Sequence, residues 1–287
     1  TKTQRACAVT PRTGHEFRLD AVEKPAQQPK TILVVGGGPG GMQAAITASD
    51  RGHRVILAEK TDALGGLLKF TDYDTLKSDL KRLKDFLVTQ VEKRDIDVRL
   101  NTQVTPEYVK ELNPDALLIA AGSTPVVFPL PGIESAQHAT TAYTALGSLG
   151  KTVAVMGGGL VGAEGAVNWA HEGHEVTIVE MKPELASEST HFYRDGLLVR
   201  VYDSAKVLVN TKVKEVLPEG VLVEQADGRE EILPCDSVVC ALGFRPEFAK
   251  VDALADLVDE NYIIGDCGKV GKVLDAVQTA YYAAQRV

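Results

Sequence analysis

A glycine pattern that occurs twice constrains the fold of this chain more than any other feature. The first copy follows a β-branched run, TILVV, and has the spacing G-x-G-x-x-G at Gly36, Gly38 and Gly41. Such a run is typical of a buried parallel strand, and the glycines permit a tight turn, close approach of a pyrophosphate and close helix packing. A second strand ends in Glu59, an acid that can accept both hydroxyls of a ribose. This order of elements predicts a dinucleotide site.

The second copy consists of Gly157, Gly159, Gly162 and Glu180. Each of these residues lies 121 positions after its counterpart, and the same separation relates Gly122 to Gly243. A constant offset of this length indicates an internal duplication at the scale of a domain. We therefore predict an α/β fold with two Rossmann-like dinucleotide-binding domains, each following a strand–glycine turn–helix pattern.

The tail of the chain suggests that the second domain is inserted in the first. It contains a strand, the step Gly265-Asp266 and an Ala-rich helix, none of which has a place in the second repeat. Asp266 is suited to accept a hydrogen bond from a ribityl hydroxyl, although a plain turn acid remains the alternative. The predicted parts are an N-terminal segment and linker (1–27), a first domain (28–149 plus 244–287) and an inserted second domain (150–243).

Charge and hydropathy exclude several functional classes. The net charge of −8 argues against a nucleic-acid surface, which needs clustered Lys and Arg. No apolar run approaches the roughly 20 residues that a membrane-spanning helix requires, so we expect no membrane partner. The four cysteines are few and scattered, which favours a reducing cytoplasm.

Cys235 and Cys240 raise the question of a redox disulfide. If LPCDSVVCA is largely one strand, these residues point to opposite faces and lie about 17 Å apart. That distance is beyond the reach of a disulfide. We expect inert, partly buried thiols.

The motifs together resemble the flavoprotein family with two dinucleotide-binding domains, in which the first domain binds FAD and the second binds NAD(P)H. The resemblance rests on GGGPGG, LLIAAGSTP, GGGLVG, VVCALGFRP and YIIGDC, and it covers residues 30–287. It implies FAD contacts from Gly36, Gly38, Pro39, Gly40, Gly41, Glu59, Lys60, Gly66, Gly122, Gly265 and Asp266. It implies contacts to the nicotinamide nucleotide from Gly157, Gly159, Leu160, Val161, Gly162, Glu180 and Gly243.

The segment ACAVTPRTGHE is similar to the end of the barrel domain in one branch of the old yellow enzyme family, which includes NADH:flavin oxidoreductases. There, an FMN-bearing barrel and a [4Fe-4S] cluster precede the two domains. The resemblance implies that Cys7 is the last of four cluster ligands, and that FMN and the cluster belong to the full-length enzyme only. We expect the chain to be the C-terminal reductase portion of such an enzyme, with the upstream barrel as its partner.

The resulting hypothesis is a flavin-dependent oxidoreductase module that passes a hydride from NAD(P)H to FAD, without a catalytic side chain of its own. Glu180 favours NADH over NADPH, because a 2′-phosphate would meet its like charge. The rival hypothesis is a non-catalytic scaffold with an ADP-type nucleotide in the FAD site. A disulfide reductase is disfavoured, because the chain has no C-x-x-C motif.

Overall fold

The computed structural model describes residues 6–14, 16, 24–145 and 147–287. Part of the predicted N-terminal segment, 1–27, lies outside the described residues. The strands are β1 (Thr31–Val35), β2 (Arg54–Ala58), β3 (Ile96–Arg99), β4 (Ala116–Ile119), β5 (Ser123–Pro125), β6 (Gln137–His138), β7 (Thr152–Met156), β8 (Glu175–Val179), β9 (Ala205–Leu208), β10 (Thr211–Leu217), β11 (Gly220–Gln225), β12 (Glu230–Pro234), β13 (Ser237–Cys240), β14 (Phe244–Pro246) and β15 (Asn261–Ile263).

The helices connect these strands in the alternating order expected of an α/β protein. They are α1 (Pro39–Asp50), α2 (Ser78–Glu92), α3 (Pro106–Leu112), α4 (Ala139–Thr144), α5 (Leu160–His171), α6 (His191–Ser204), α7 (Phe248–Ala255) and α8 (Val273–Ala284). Short 3₁₀ turns cover Gly66–Asp72, Thr75–Lys77, Ile133–Ser135 and Gly265–Cys267. Among the described residues, no helix has the length and hydropathy that a bilayer crossing requires.

Internal contacts divide the chain into two compact units. The first unit comprises Thr1–Thr71, Lys77–Thr124 and Phe244–Val287. The second comprises Asp72–Leu76 and Pro125–Gly243.

The first unit is built on a parallel sheet with the strand order β15-β4-β1-β2-β3. Ile32 and Val34 of β1 point into one apolar cluster with α1, α2 and α8, whereas Leu33 and Val35 point into another with α3 and α7. Complete burial of an aliphatic side chain contributes about 1.5–3 kcal/mol. Burial of both faces therefore fixes the register of β1, since a slip by one residue would exchange the two sets.

The second unit has a parallel sheet with the order β6-β13-β7-β8-β9. The strands β10, β11 and β12 form an antiparallel sheet of their own. Apolar side chains of the two sheets meet in one cluster, which includes Met156, Val179, Val221 and Val223. The antiparallel sheet therefore covers apolar side chains of the parallel sheet.

The boundary between the units differs from the one drawn on the sequence. The sequence assigned 125–149 to the first domain, whereas contacts place this segment in the second unit. The physical reason is that β6 pairs with β13, in the register Gln137 to Val239. The strands β5 and β14 form a sheet of two strands.

Candidate functional site

The glycine turn of the first unit joins β1 directly to α1. Gly36 has a φ of 101°, a backbone conformation that residues other than glycine rarely adopt. Its N–H donates to the carbonyl of Ala58 at 2.8 Å. A Cβ on Gly41 would overlap the carbonyl oxygen of Gly36, so only glycine allows α1 to begin this close to the strand. The N-cap of α1 is Gly38, which has no side chain to cap the first turn. The first turn of α1 therefore offers N–H groups to an anion.

Glu59 supports that turn from the end of β2. Its Oε2 accepts the N–H of Gly37 at 2.7 Å, and its Oε1 accepts the N–H and the hydroxyl of Thr61 at 2.9 and 2.7 Å. The residue is only 6% exposed. The acid that the sequence singled out is therefore also a structural clamp on the glycine turn.

A cavity of about 730 Å³ opens beside the glycine turn within the first unit. This volume lies within the range of sites for cofactors and other small ligands. Ten of the eleven residues expected to contact FAD line it: Gly36, Gly38, Pro39, Gly40, Glu59, Lys60, Gly66, Gly122, Gly265 and Asp266. Gly41 does not line the cavity, because its place is at the contact between α1 and Gly36.

Asp266 lines this cavity and follows β15. Its Oδ1 accepts the N–H of Gly271 at 3.0 Å, and its Oδ2 accepts the hydroxyl of Ser123 at 3.2 Å. Partial burial raises the pKa of Asp266 above its ordinary value, against the lowering effect of these two hydrogen bonds. The carboxyl group is thus held in a fixed orientation at the wall of the cavity.

Several lining residues were not identified from the sequence. The start of α8 lies at the cavity, with Gly271, Lys272 and Val273 in its wall, so a second helix N-terminus faces the same space as α1. Lys69 also lines it and donates to the hydroxyl of Thr61 at 2.9 Å. The Ala-rich run predicts α8 itself, but not that its start, where the Asp275 side chain accepts the Lys272 N–H at 2.7 Å, lies at the cavity.

The second unit repeats the glycine turn between β7 and α5. Gly157 has a φ of 99°, and a Cβ on Gly162 would overlap its carbonyl oxygen. Glu180 follows β8, is 8% exposed and accepts the N–H of Gly158 at 2.6 Å and that of Lys182 at 2.8 Å. The two turns are therefore built in the same way.

The remaining predicted residues of this unit lie around that turn. Gly159 is the N-cap of α5, and Leu160 and Val161 form its first turn. Gly243 has a φ of 94°, and a Cβ built on it would meet no atom within 4 Å. The Leu160 N–H donates to Oε1 of Glu188 at 2.5 Å, a contact that the sequence did not predict.

The four cysteines are free thiols. The sequence-based reason for separating Cys235 from Cys240 is wrong, because β12 ends at Pro234 and β13 begins at Ser237. Both cysteines contact the same apolar cluster instead of opposite faces of one strand. Burial raises the pKa of each, which is typical of inert thiols.

Cys7 has a different environment. Hydrogen bonds from the backbone of Thr10 and then Val9 lower the pKa of its half-buried thiol. Within the described residues, no group of three or more His, Cys, Asp and Glu side chains is arranged to hold a metal ion.

Comparison with known proteins identifies the family. The sequence profile described as "Pyridine nucleotide-disulphide oxidoreductase" matches residues 30–283. The chain belongs to this family. Its members bind FAD and NAD(P)H on a fold with two dinucleotide-binding domains, as the repeated glycine turns had indicated.

Individual relatives extend the match over almost the whole chain. Bilirubin reductase of Mediterraneibacter gnavus is 35% identical over 286 residues, which are 97% of this chain and 44% of that protein. NADH oxidase of Thermoanaerobacter brockii is 35% identical over 294 residues, which are 98% of this chain and 44% of that protein. The chain therefore spans less than half the length of these relatives.

A solved structure of 2-naphthoyl-CoA reductase, in complex with 2-naphthoyl-CoA, has the same fold. It superimposes with a TM-score of 0.91 at 30% sequence identity, over 98% of this chain and 43% of the reductase chain. The likeness confirms the α/β class with a Rossmann-like FAD/NAD(P)-binding fold. It also confirms the assignment of the chain to the flavin-dependent oxidoreductases of this family.

The first unit fits the FAD that the family implies. The cavity joins an uncapped helix N-terminus to a partly buried carboxyl group. A Cβ on Gly66 would lie 2.8 Å from Cα of Gly38, whereas one on Gly122 would meet no atom within 4 Å. Gly66 thus allows close packing against Gly38, and the space beside Gly122 is open to a ligand.

Proposed function

We propose that this chain is the NADH-oxidising module of a larger flavoenzyme. In this proposal the first unit binds FAD and the second binds NADH. The observation that carries the proposal is the cavity of the first unit, whose walls include the start of α1, Asp266 and the start of α8. It brings together an anion-binding helix terminus and a carboxyl group for a ribityl hydroxyl, which are the features that a flavin dinucleotide requires.

The side chains of the first unit would bind and orient the flavin. The N–H groups at the start of α1 would bind the pyrophosphate, and Glu59 would accept the ribose hydroxyls while it retains Gly37. Asp266, fixed by Gly271 and Ser123, would accept from the ribityl chain. When bound, FAD supplies the redox chemistry, since it takes up a hydride from the nicotinamide and releases electrons singly.

The second unit would bind the nicotinamide nucleotide at the start of α5. Gly157, Gly159 and Gly162 shape the turn, and Glu180 lies where the adenosine ribose of such a nucleotide is expected. A carboxylate there accepts hydrogen bonds from a 2′-hydroxyl and repels a 2′-phosphate. This charge difference supports NADH as the electron donor.

The rest of the electron path would lie upstream. The chain covers 44% of the length of the relatives named NADH oxidase and bilirubin reductase. Together with the similarity of the Cys7 segment to the end of an FMN barrel, this supports a [4Fe-4S] cluster and FMN in a preceding domain of the same polypeptide. Cys7 would be one of four thiolate ligands of that cluster.

The visible spectrum of the purified protein tests the proposal. We expect a flavin band near 450 nm, a general property of flavins, which NADH bleaches under anaerobic conditions. A colourless protein that carries an adenine nucleotide would instead support the scaffold function, because FAD and ADP share the pyrophosphate and adenosine that α1 and Glu59 bind.

A matched pair of variants links the flavin to the cavity. Asp266→Asn should weaken FAD binding by roughly tenfold, since a hydrogen bond to a charged group contributes about 1.5–3 kcal/mol. Asp256→Asn makes the same chemical change at an exposed position outside the cavity and should leave the flavin content unchanged. Equal flavin content in both variants would count against the proposed site.

A further inference from the structure

The two glycine turns match beyond the motif, in the loops that follow Glu59 and Glu180. Gly65 donates its N–H to the carbonyl of Gly37 at 2.8 Å, and Ala186 donates to that of Gly158 at 2.8 Å. Gly65 and Ala186 both have positive φ angles, 121° and 47°, and lie 121 positions apart. The loops can therefore be compared residue by residue.

The comparison reveals one difference in charge at the helix N-terminus. Glu188 is the counterpart of Leu67, and Leu160 is the counterpart of Pro39. The Leu160 N–H donates to Oε1 of Glu188 at 2.5 Å, whereas Pro39 has no N–H to donate. The second unit thus holds a carboxylate of its own at the start of α5.

This carboxylate lies beside the middle glycine of the motif, where a nucleotide phosphate is expected. A Cβ built on Gly159 would lie 3.2 Å from Oε1 of Glu188, whereas one on Gly38 has Cα of Gly66 as its nearest neighbour, at 3.8 Å. Gly38 and Gly159 are the middle glycines of the two motifs, where the pyrophosphate approaches the backbone. A carboxylate satisfies the same N–H and the same helix dipole as a phosphate, so both cannot occupy this position at once.

We propose that Glu188 is a displaceable competitor of the pyrophosphate in the second dinucleotide site. This inference rests on the proposed binding of a nicotinamide nucleotide there. Each nucleotide that binds must displace the carboxylate from the Leu160 N–H, and the carboxylate returns when the nucleotide leaves. The competition makes the second site an exchange site, as a co-substrate requires, whereas the first site, with Leu67 and Pro39, retains its ligand.

The test measures nucleotide affinity by calorimetry in the full-length protein, with ADP-ribose and adenosine as probes. Glu188→Gln should tighten binding of ADP-ribose by about two- to tenfold, the range that an N-terminal cap or a charge at a helix end is worth. Binding of adenosine, which has no phosphate, should not change. Stopped-flow measurement should also show slower release of NAD⁺ from the variant.

Glu184→Gln is the matched control. Glu184 is exposed on the same loop, and its carboxylate pairs with Arg194 at 2.9 Å instead of the start of α5. The substitution removes the same charge, so a general electrostatic effect would appear in both variants. We expect ADP-ribose affinity to be unchanged in Glu184→Gln.

The outcomes separate the inference from the proposed function. Equal or weaker ADP-ribose binding by Glu188→Gln, with measurable binding by the unmodified protein, overturns the competition and leaves the nucleotide site in place. An equal gain in both variants also overturns it, because the effect would be one of net charge. If neither ADP-ribose nor NADH binds the unmodified protein, the proposed function itself fails, and the inference with it.

Discussion

The acids that end β2 and β8 show how one residue type can serve both the fold and a ligand. Glu59 accepts the N–H of Gly37 at 2.7 Å, and Glu180 accepts the N–H of Gly158 at 2.6 Å. They differ at the second oxygen. Glu59 accepts two hydrogen bonds from Thr61 there, whereas Glu180 accepts one, from the Lys182 N–H. Glu180 therefore keeps more acceptor capacity for the hydroxyl of a ribose.

The negative charge of Glu180 leads to a prediction about the choice between NADH and NADPH. Two unit charges about 4 Å apart interact by roughly 4 kcal/mol at an effective dielectric constant near 20, and half of that exceeds a tenfold change in affinity. We expect flavin reduction by NADH at concentrations at least about tenfold below those needed for NADPH. Glu180→Gln removes the charge and should reduce the preference for NADH over NADPH. Stopped-flow comparison of the two donors decides the question, and equal or better reduction by NADPH would contradict it.

The environments of the cysteines predict their reactivity. Backbone hydrogen bonds from Thr10 and Val9 lower the pKa of Cys7, whereas burial raises the pKa of Cys235, Cys240 and Cys267. The thiolate is the reactive form, so Cys7 should retain it to lower pH than the other three. Iodoacetamide at neutral pH should alkylate Cys7 first, and its rate should fall as pH drops through the lowered pKa. Mass spectrometry of tryptic peptides measures the order, and earlier labelling of Cys235 would contradict it.

At the scale of elements, α1 and α5 could be predicted well because local sequence determines them. Each begins directly after a glycine turn, and the third glycine of each motif, Gly41 or Gly162, has no room for a side chain. The Thr105-Pro106 step likewise predicts the start of α3, and Thr105 does cap it by accepting the Tyr108 N–H at 3.3 Å.

Elements whose place depends on distant partners could not be predicted in the same way. Alternation of apolar residues indicates β10, β11 and β12, but not that they form a separate sheet. The pairing of β6 with β13 joins residues that are about a hundred positions apart, so the sequence near 137 gives no sign of it. In the cavity wall, Lys69 and Lys272 carry no motif, and only the folded chain brings them to the same space.

Two glycines in helices test how far local space controls these elements. Gly162→Ala should destabilise the protein by about 1–3 kcal/mol, because the added methyl group would overlap the Gly157 carbonyl. Gly196→Ala, in the interior of α6, should stabilise it by about 1 kcal/mol, since Gly196 is exposed and a Cβ there meets no atom within 4 Å. Chemical denaturation followed by far-UV circular dichroism compares the two. Stabilisation by both substitutions would show that helix propensity, and not the contact at the turn, controls both positions.

At the scale of the whole molecule, duplication explains why the two units share one local structure. One strand–turn–helix pattern, with an acid at the same position, is used in both units, and loop residues such as Glu188 give each copy a different character. The match of the family profile to 30–283 covers both copies, whereas the segment around Cys7 precedes it. The function of that segment must therefore be tested in the full-length protein.

Substitution of Cys7 in the full-length protein tests the link to the upstream domain. If Cys7 is one of four thiolate ligands, Cys7→Ser should lower iron and acid-labile sulfide substantially, because a hydroxyl is a weaker ligand than a thiolate. Reduction of FAD by NADH should remain near normal, since the flavin site lies in the first unit around α1 and Asp266. Electron transfer onward to FMN should be lost in proportion to the cluster.

Cys235→Ser is the matched control for this experiment. Cys235 packs against the apolar cluster of the second unit and is not one of the proposed cluster ligands. The substitution makes the same change from a thiol to a hydroxyl. We expect its iron content to equal that of the unmodified protein. If Cys7→Ser also retains full iron and electron transfer to FMN, Cys7 is an ordinary thiol whose pKa is lowered by local hydrogen bonds, first from the backbone of Thr10 and Val9. The electron path would then have to leave the flavin by another route.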